Sequence, residues 1–194
     1  PMTRVAAVQL RLSDDDDPAT RRHRVRSLVA TIDADLVVLP ELWEVGPFAV
    51  AENLDHAVPL DTWVRHMRDL APGRALHAGS FLERDGDALY NTSVVFGPDG
   101  EVLATYRKIH LFGFDMGQEK YTEERTIEPG AAVVTVESPY GRLGISVCYD
   151  LRFPELYRAM GEVDFIFVPS AFTETTGKAH WEVLIRARAI ENQC

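Results

Sequence analysis

The apolar positions of the chain follow two periods. RVAAVQL at 4–10 and LVVLP at 36–40 are short β-rich runs. Leu36 to Leu39 are apolar without interruption, which predicts a strand covered on both faces. Between the two runs, Val25, Leu28, Val29 and Ile32 recur at i, i+3, i+4 and i+7, with Arg21, Arg22, Arg24 and Arg26 elsewhere. That spacing predicts one apolar helix face over 19–32. The preceding SDDDDPAT reads as a solvated loop whose Asp and Thr residues lead into the helix, rather than as a cation site. A second helix is predicted over 60–70, stopped by Ala71-Pro72-Gly73, and a strand over 76–82. ALYNTSVVFGPDGEVLATYRK reads as a hairpin turning at GPDG. Residues 112–130 lack periodicity and are rich in charge and glycine, the mark of a long excursion of the functional kind. Next come strand VVTVES, turn PYG, strand RLGISVC, a short helix opened by Pro154, strand DFIFVPS, and a helix from about Lys178. Strands alternating with helices and hairpins predict a layered α/β fold with a mixed sheet. No repeat, linker or low-complexity segment divides residues 1–194, so one domain is expected.

Composition narrows the function classes. At 46% hydrophobic and 26% charged residues, the chain is too apolar for a disordered segment. Its 194 residues should bury on the order of 70% of the unfolded surface. Twenty Lys and Arg against 30 Asp and Glu give a net charge of −10. Non-specific nucleic-acid or anionic-membrane binding needs the opposite field, so neither partner is expected. No apolar run approaches the ~20 residues of a membrane span, and PMTRVAAVQL enters a strand-like run without a signal-like core. Two cysteines, Cys148 and Cys194, are too few for a disulfide framework and point to a reducing compartment, hence the cytosol. No His/Cys cluster has metal spacing, and neither GxGxxG nor a P-loop occurs, so no metal and no nucleotide cofactor are expected.

Three buried strands end in candidate chemistry. LVVLP runs into Glu41, LGISV into Cys148, and FIFVP into Ser170. Carboxyl ends of strands in α/β sheets are where ligands bind, which would bring Glu41 and Cys148 to one edge. Taken singly, Cys148 also reads as a core thiol and Glu41 as a capping or surface carboxylate. Lys108, at the end of the second hairpin strand in TYRKIHLF, completes a coherent set. A thiol of ordinary pKa, about 8.5, needs a base or a cation nearby to attack at neutral pH. A partly desolvated carboxylate can take its proton, and an ammonium can stabilise a tetrahedral oxyanion.

LPELW around Glu41, YRKIHLF around Lys108 and GISVCYDLRFPELYR around Cys148, in that order, resemble the nitrilase superfamily of carbon–nitrogen hydrolases. The resemblance continues through PSAFTETTGKAHWEVLIRARAIENQ and so covers nearly the whole chain. The CYDLRFPEL and GKAHWEVLIRARAIENQ blocks look most like the branch of omega-amidases and deaminated-glutathione amidases. The resemblance implies an αββα sandwich of mixed sheets that associates through helices into a homodimer or larger assembly. It implies Cys148 as nucleophile, Glu41 as general base and Lys108 as stabiliser of the tetrahedral intermediate. A second glutamate follows the lysine loop in this branch; in YTEERTIEPG, Glu123 matches best, with Glu119 and Glu124 as competitors. Its implied role is to hold the amide nitrogen or to orient Lys108. The backbone N–H of Tyr149 would be the second oxyanion donor.

Arg152 matches a position where relatives that recognise carboxylates carry Arg, and it also reads as an internal partner of Asp150 or Glu155. Thr173 is expected to line the pocket, whereas His180 and Trp181 read as packing and capping. Relatives continue past ENQC with further strands and a helix, so the chain reads as a C-terminally incomplete carbon–nitrogen hydrolase domain. The implied activity is hydrolysis of a small linear amide, an omega-amide in particular, through a thioester on Cys148, releasing ammonia and a carboxylic acid. N-carbamoyl amide hydrolysis is the alternative chemistry, and a non-catalytic binding or assembly module the alternative class.

Overall fold

A computed structural model describes residues 2–13, 16–115, 117 and 120–194, with the side chains at 115 and 120 left aside. Asp14 and Asp15 of the acidic run, and Glu119, lie outside the described residues. The strands β1 (Val5–Ala7), β2 (Leu36–Val38), β3 (Ala75–Asp85), β4 (Ala88–Phe96) and β5 (Val102–Arg107) form one sheet in that order. Its first three strands are parallel, and β3–β4 and β4–β5 are antiparallel. A small pair, β6 (Gly113–Asp115) and β7 (Lys120–Thr122), follows. The second sheet has β8 (Val134–Ser138) antiparallel to β9 (Gly141–Ile145), and β9 parallel to β10 (Phe165–Phe167).

The alternation of side chains assigns each layer. In β2, Val37 joins the cluster under the first helices, while Leu36 and Val38 face the second sheet. Successive residues of a strand point to opposite faces, so the unbroken apolar run serves two interfaces at once. Helices α1 (Pro18–Ala30) and α2 (Leu60–Met67) cover the outer face of the first sheet with Val25, Val29, Trp63 and Met67. Leu143, Ile145 and Phe167 of the second sheet meet Ala75, Val95 and Tyr106 of the first. On the far side, α3 (Pro154–Met160) packs Leu156, Tyr157 and Met160 against Ile166 and Val168. The chain then forms α4 (Glu174–Thr176), a π-turn at Gly177–Trp181, and α5 (Glu182–Asn192), whose Leu184 and Ile185 join the same cluster. The order is helix, sheet, sheet, helix: an αββα sandwich.

Local signals explain most boundaries. Asp17 caps α1 by accepting the Thr20 N–H at 2.7 Å, and Pro18 opens the helix where no amide donor is needed. Asp16 is paired with Arg24 at 2.8 Å. Three elements differ from the sequence pattern. The strand expected over 76–82 continues to Asp85, because the buried Glu83 is neutralised by Arg107 at 2.7 Å and accepts the Thr92 hydroxyl at 2.6 Å. The excursion at 112–130 contains the β6–β7 pair and a 3-10 turn at Glu123–Arg125, elements too short to leave a period. Helical structure begins at Glu174, ahead of Lys178, where the Thr173 hydroxyl accepts the Thr176 N–H at 3.3 Å. Among the described residues, no helix is long and apolar enough to cross a membrane.

Candidate active site

Glu41 is placed by a tight approach of β2's end to β3. Leu39 donates its N–H to His77 at 2.9 Å, and Pro40 accepts the Ser80 N–H at 3.2 Å. Gly79 makes this crossing possible: its φ is +70°, and a Cβ there would lie 2.0 Å from the Pro40 carbonyl oxygen. Beyond Glu41, Leu42 turns through a φ of 44° and donates its N–H to Ser80 Oγ at 3.0 Å, while Trp43 Nε1 bonds the Ala78 carbonyl at 3.1 Å. Glu41 is therefore clasped to β3 on both sides.

Lys108 leaves the end of β5, its backbone held by Asn91 at 2.9 Å and Gly130 at 2.8 Å. Its ammonium is buried and donates to Glu41 Oε1 at 2.9 Å and to Glu123 at 2.9 and 3.2 Å. Asn91 Nδ2 also donates to Glu41 Oε1, at 2.9 Å, and the Ala171 N–H reaches Glu41 Oε2 at 3.1 Å. Glu123 accepts the Phe112 N–H at 2.7 Å. Burial alone would lower the Lys108 ammonium, but the charges of Glu41 and Glu123 outweigh it and hold its pKa above the ordinary lysine value. Burial pushes the Glu123 carboxyl up; Lys108 opposes that shift and Glu41 adds to it.

Cys148 follows β9 at a sharp elbow with a φ of 45°, a conformation that a non-glycine residue adopts only when its surroundings hold it there. Its N–H bonds the Pro169 carbonyl at 2.9 Å, and a 3-10 turn runs from Cys148 to Arg152. The thiol is buried beside Glu41. Burial and then the Glu41 charge push its pKa well above the ordinary thiol value, against the pull of Lys108. The thiol therefore rests protonated and needs a base when it attacks. Glu41, Lys108, Glu123 and Cys148 share the wall of one pocket of ≈ 400 Å³, part of it open to solvent. Among the described residues, no three His, Cys, Asp or Glu side chains converge as ligands for a metal ion.

Tyr149, Arg152 and Thr173 line the same pocket. Arg152 is not tied to Asp150 or Glu155. Its Nη1 lies 3.2 Å from His180 Nδ1, and its guanidinium sits 5.6 Å from the Tyr149 ring and 5.5 Å from the Phe172 ring. Trp181 packs edge-on against Phe172. Ser170 turns away and donates to the Val168 carbonyl at 2.8 Å, leaving its neighbour's backbone to serve Glu41. Glu124 is exposed. Sequence reasoning missed Asn91 and the Ala171 N–H. An amide within the predicted strand YNTSVVF is the one sequence sign that pointed to Asn91.

A sequence profile described as carbon-nitrogen hydrolase matches residues 4–194. The chain belongs to the carbon–nitrogen hydrolase family. It is 38% identical to omega-amidase NIT2 of Homo sapiens over 198 residues, covering 98% of this chain and 71% of that protein. Among solved structures, Nit3 of Saccharomyces cerevisiae, a member of branch 10 of the nitrilase superfamily, superposes with a TM-score of 0.83 at 32% identity, covering 98% and 72% of the two chains. A variant of the amidase from Nesterenkonia sp. AN1 superposes with a TM-score of 0.76 at 25% identity, covering 98% and 72%; it carries the acetamide moiety of fluoroacetamide covalently added at its active site cysteine. The αββα sandwich of this carbon–nitrogen hydrolase is thus that of the nitrilase superfamily.

Proposed function

We propose that this carbon–nitrogen hydrolase cleaves the terminal amide of a small linear amide that bears a carboxylate, releasing ammonia and the acid. The observation that carries the reading is the buried Lys108 ammonium held between Glu41 and Glu123 in the pocket that also presents the Cys148 thiol. Glu41 takes the thiol proton as Sγ attacks the amide carbonyl carbon. The carbonyl π electrons move onto oxygen, and Lys108 with the Tyr149 N–H stabilises that oxyanion. The protonated Glu41 returns its proton to the nitrogen, the C–N bond breaks, ammonia leaves and a thioester remains on Cys148. Glu41 then deprotonates water, which attacks the thioester. The C–S bond breaks, Glu41 reprotonates the thiolate, and the acid departs. Glu123 orients Lys108. The steps use groups of this chain and one water molecule.

Arg152, on the wall of the pocket with Cys148 and without a carboxylate partner among the described residues, is the group that grips the distal carboxylate. Thr173 lines that end. The likeness to omega-amidase NIT2 supports the same substrate class. The outward Val183 and Ile190 of α5 support self-association through helices, and two unpaired cysteines support a reducing, cytoplasmic setting. We read residues 1–194 as part of one carbon–nitrogen hydrolase domain.

The test is ammonia release from succinamate, α-ketoglutaramate, butyramide and an N-carbamoyl amine, with the mass of Cys148 followed in parallel. The expected result is turnover of the acidic amides with an acyl adduct on Cys148, and loss of both in Cys148→Ala with the melting temperature kept. Turnover that survives Cys148→Ala would overturn the nucleophile, and preference for the N-carbamoyl amine would overturn the substrate class.

A further inference from the structure

Lys108 and Cys148 belong to different sheets. Lys108 follows β5 of the first and Cys148 follows β9 of the second, and among the described residues no strand ladder joins the two sheets. Between the sheets lies apolar packing of residues such as Val95, Tyr106, Leu143 and Ile145. Such packing is non-directional, so it does not by itself fix how far the ammonium stands from the sulfur.

Asp150 supplies a directional link. It lies two residues after Cys148 and is completely buried. Oδ2 accepts the Val147 N–H at 2.9 Å and the Tyr106 hydroxyl at 2.7 Å. Oδ1 accepts the His110 N–H at 2.9 Å and faces His110 Nδ1 at 2.8 Å. Val147 immediately precedes the nucleophile, whereas Tyr106 and His110 bracket Lys108 two residues to either side. The Tyr106 hydroxyl also accepts the Ile109 N–H at 3.3 Å, and the His110 ring stacks on Phe153 at 3.7 Å. A turn-capping carboxylate needs only the bond to Val147. The remaining bonds of Asp150 go to the lysine segment, forty or more positions earlier in the chain.

We infer that Asp150 is a positioning residue whose carboxylate sets the Lys108 segment against the Cys148 elbow. The inference rests on the roles of Lys108 and Cys148 proposed above. Each oxygen of the carboxylate accepts one backbone N–H, and a backbone N–H cannot reverse its polarity. An amide at this place presents one oxygen and one NH2, so whichever way it is turned the NH2 meets either Val147 N–H or His110 N–H. Asp150→Asn therefore drives the two segments apart although it changes neither volume nor shape. A misplacement of about 1 Å at reacting groups costs about 100-fold in rate.

The test is a double-variant cycle of Asp150→Asn with Lys108→Ala, read as kcat/KM for ammonia release and as melting temperature. The expected result is a loss of about 100-fold from Asp150→Asn in the parent, carried by kcat rather than KM, and of only about threefold when Lys108 is already absent. The melting shift from Asp150→Asn should be the same in both backgrounds. Equal fold losses in both backgrounds would overturn the inference and leave Asp150 a structural residue. Should Asp150→Asn fail to fold, Tyr106→Phe replaces it in the cycle; it removes one bond to the lysine segment and should lower kcat about tenfold with KM unchanged. A second reading needs no turnover: the alkylation rate of Cys148 by iodoacetamide, with the exposed Cys194 as internal reference. Asp150→Asn should slow Cys148 about tenfold or more and leave Cys194 unchanged, because the thiol is displaced from Glu41. A parent that releases no ammonia from any amide would sink the proposed function, while an unchanged alkylation ratio in Asp150→Asn would sink the positioning role.

Discussion

Gly79→Ala is a one-methyl test of how Glu41 is held. The added Cβ would lie 2.0 Å from the Pro40 carbonyl oxygen and 3.0 Å from the Leu39 carbonyl, and atoms of this kind do not approach below 3.0 Å. Pro40 must retreat by about 1 Å, the difference between those distances, or β3 must give by as much. Pro40 adjoins Glu41, whose Oε1 stands 2.9 Å from Lys108 Nζ. Misplacing a general base by about 1 Å costs about 100-fold in rate, or about 2.7 kcal/mol of transition-state stabilisation. The φ of +70° adds about 1–2 kcal/mol of strain for a side chain bearing a Cβ. For a chain of this size that strain lowers the melting temperature by roughly 2–8 °C. The assay is kcat/KM for ammonia release beside the melting temperature, with Ser80→Ala as companion. Ser80→Ala deletes the 3.0 Å bond to Leu42 without any clash and should cost only a few-fold. Gly79→Ala within about threefold of the parent in kcat/KM would refute the claim that the β2–β3 crossing aims Glu41.

Four further substitutions probe the charges. Lys108→Met should lower kcat by about 100- to 1000-fold and lower stability by about 3–5 kcal/mol, since it leaves two buried carboxylates without their cation. Adding Glu123→Gln should recover much of the melting temperature and none of the activity, and recovery of activity in an ammonia assay would contradict the role of the ammonium. Arg152→Lys should reduce kcat/KM for succinamate and spare butyramide, because Lys cannot form the two-pronged bond to a carboxylate; an equal loss on both substrates with a lowered melting temperature would remove Arg152 from the binding site. Glu44 accepts Trp63 Nε1 at 3.0 Å, and burial holds its carboxyl above the ordinary value of 4.5. A raised native pKa means that stability present at low pH is lost as pH rises through it, so Glu44→Gln should raise the melting temperature more at about pH 8 than at about pH 5. Equal shifts at the two pH values would refute the burial argument.

The layered fold was legible because its elements carry their own periods. Val25 and Val29 mark the buried face of α1, and the unbroken apolar run of β2 reflects two covered faces. Glu41 and Cys148 were legible as strand ends, and Lys108 gained meaning only beside them. The choice among Glu119, Glu123 and Glu124 was not fixed by spacing. A single 3-10 turn decides that Glu123 points inward and Glu124 outward, and such a turn leaves no period to read. Asn91 and the Ala171 amide escaped notice because their contacts with Glu41 span 50 and 130 positions and depend on how strands and sheets come together. Arg152 was ambiguous for a related reason. Its freedom from Asp150 follows from Tyr106, Val147 and His110 having already filled that carboxylate.

The contacts that build the site join remote stretches of chain, 67 positions between Glu41 and Lys108 and 130 between Glu41 and Ala171. Loops of that length close late and slowly, because the entropy of closure is lost before the contacts are gained. The β3–β4 hairpin and α1 form from neighbouring residues and need not wait for those closures. During refolding, backbone ellipticity should therefore return before catalysis does, and the interval between them measures the docking of one sheet upon the other.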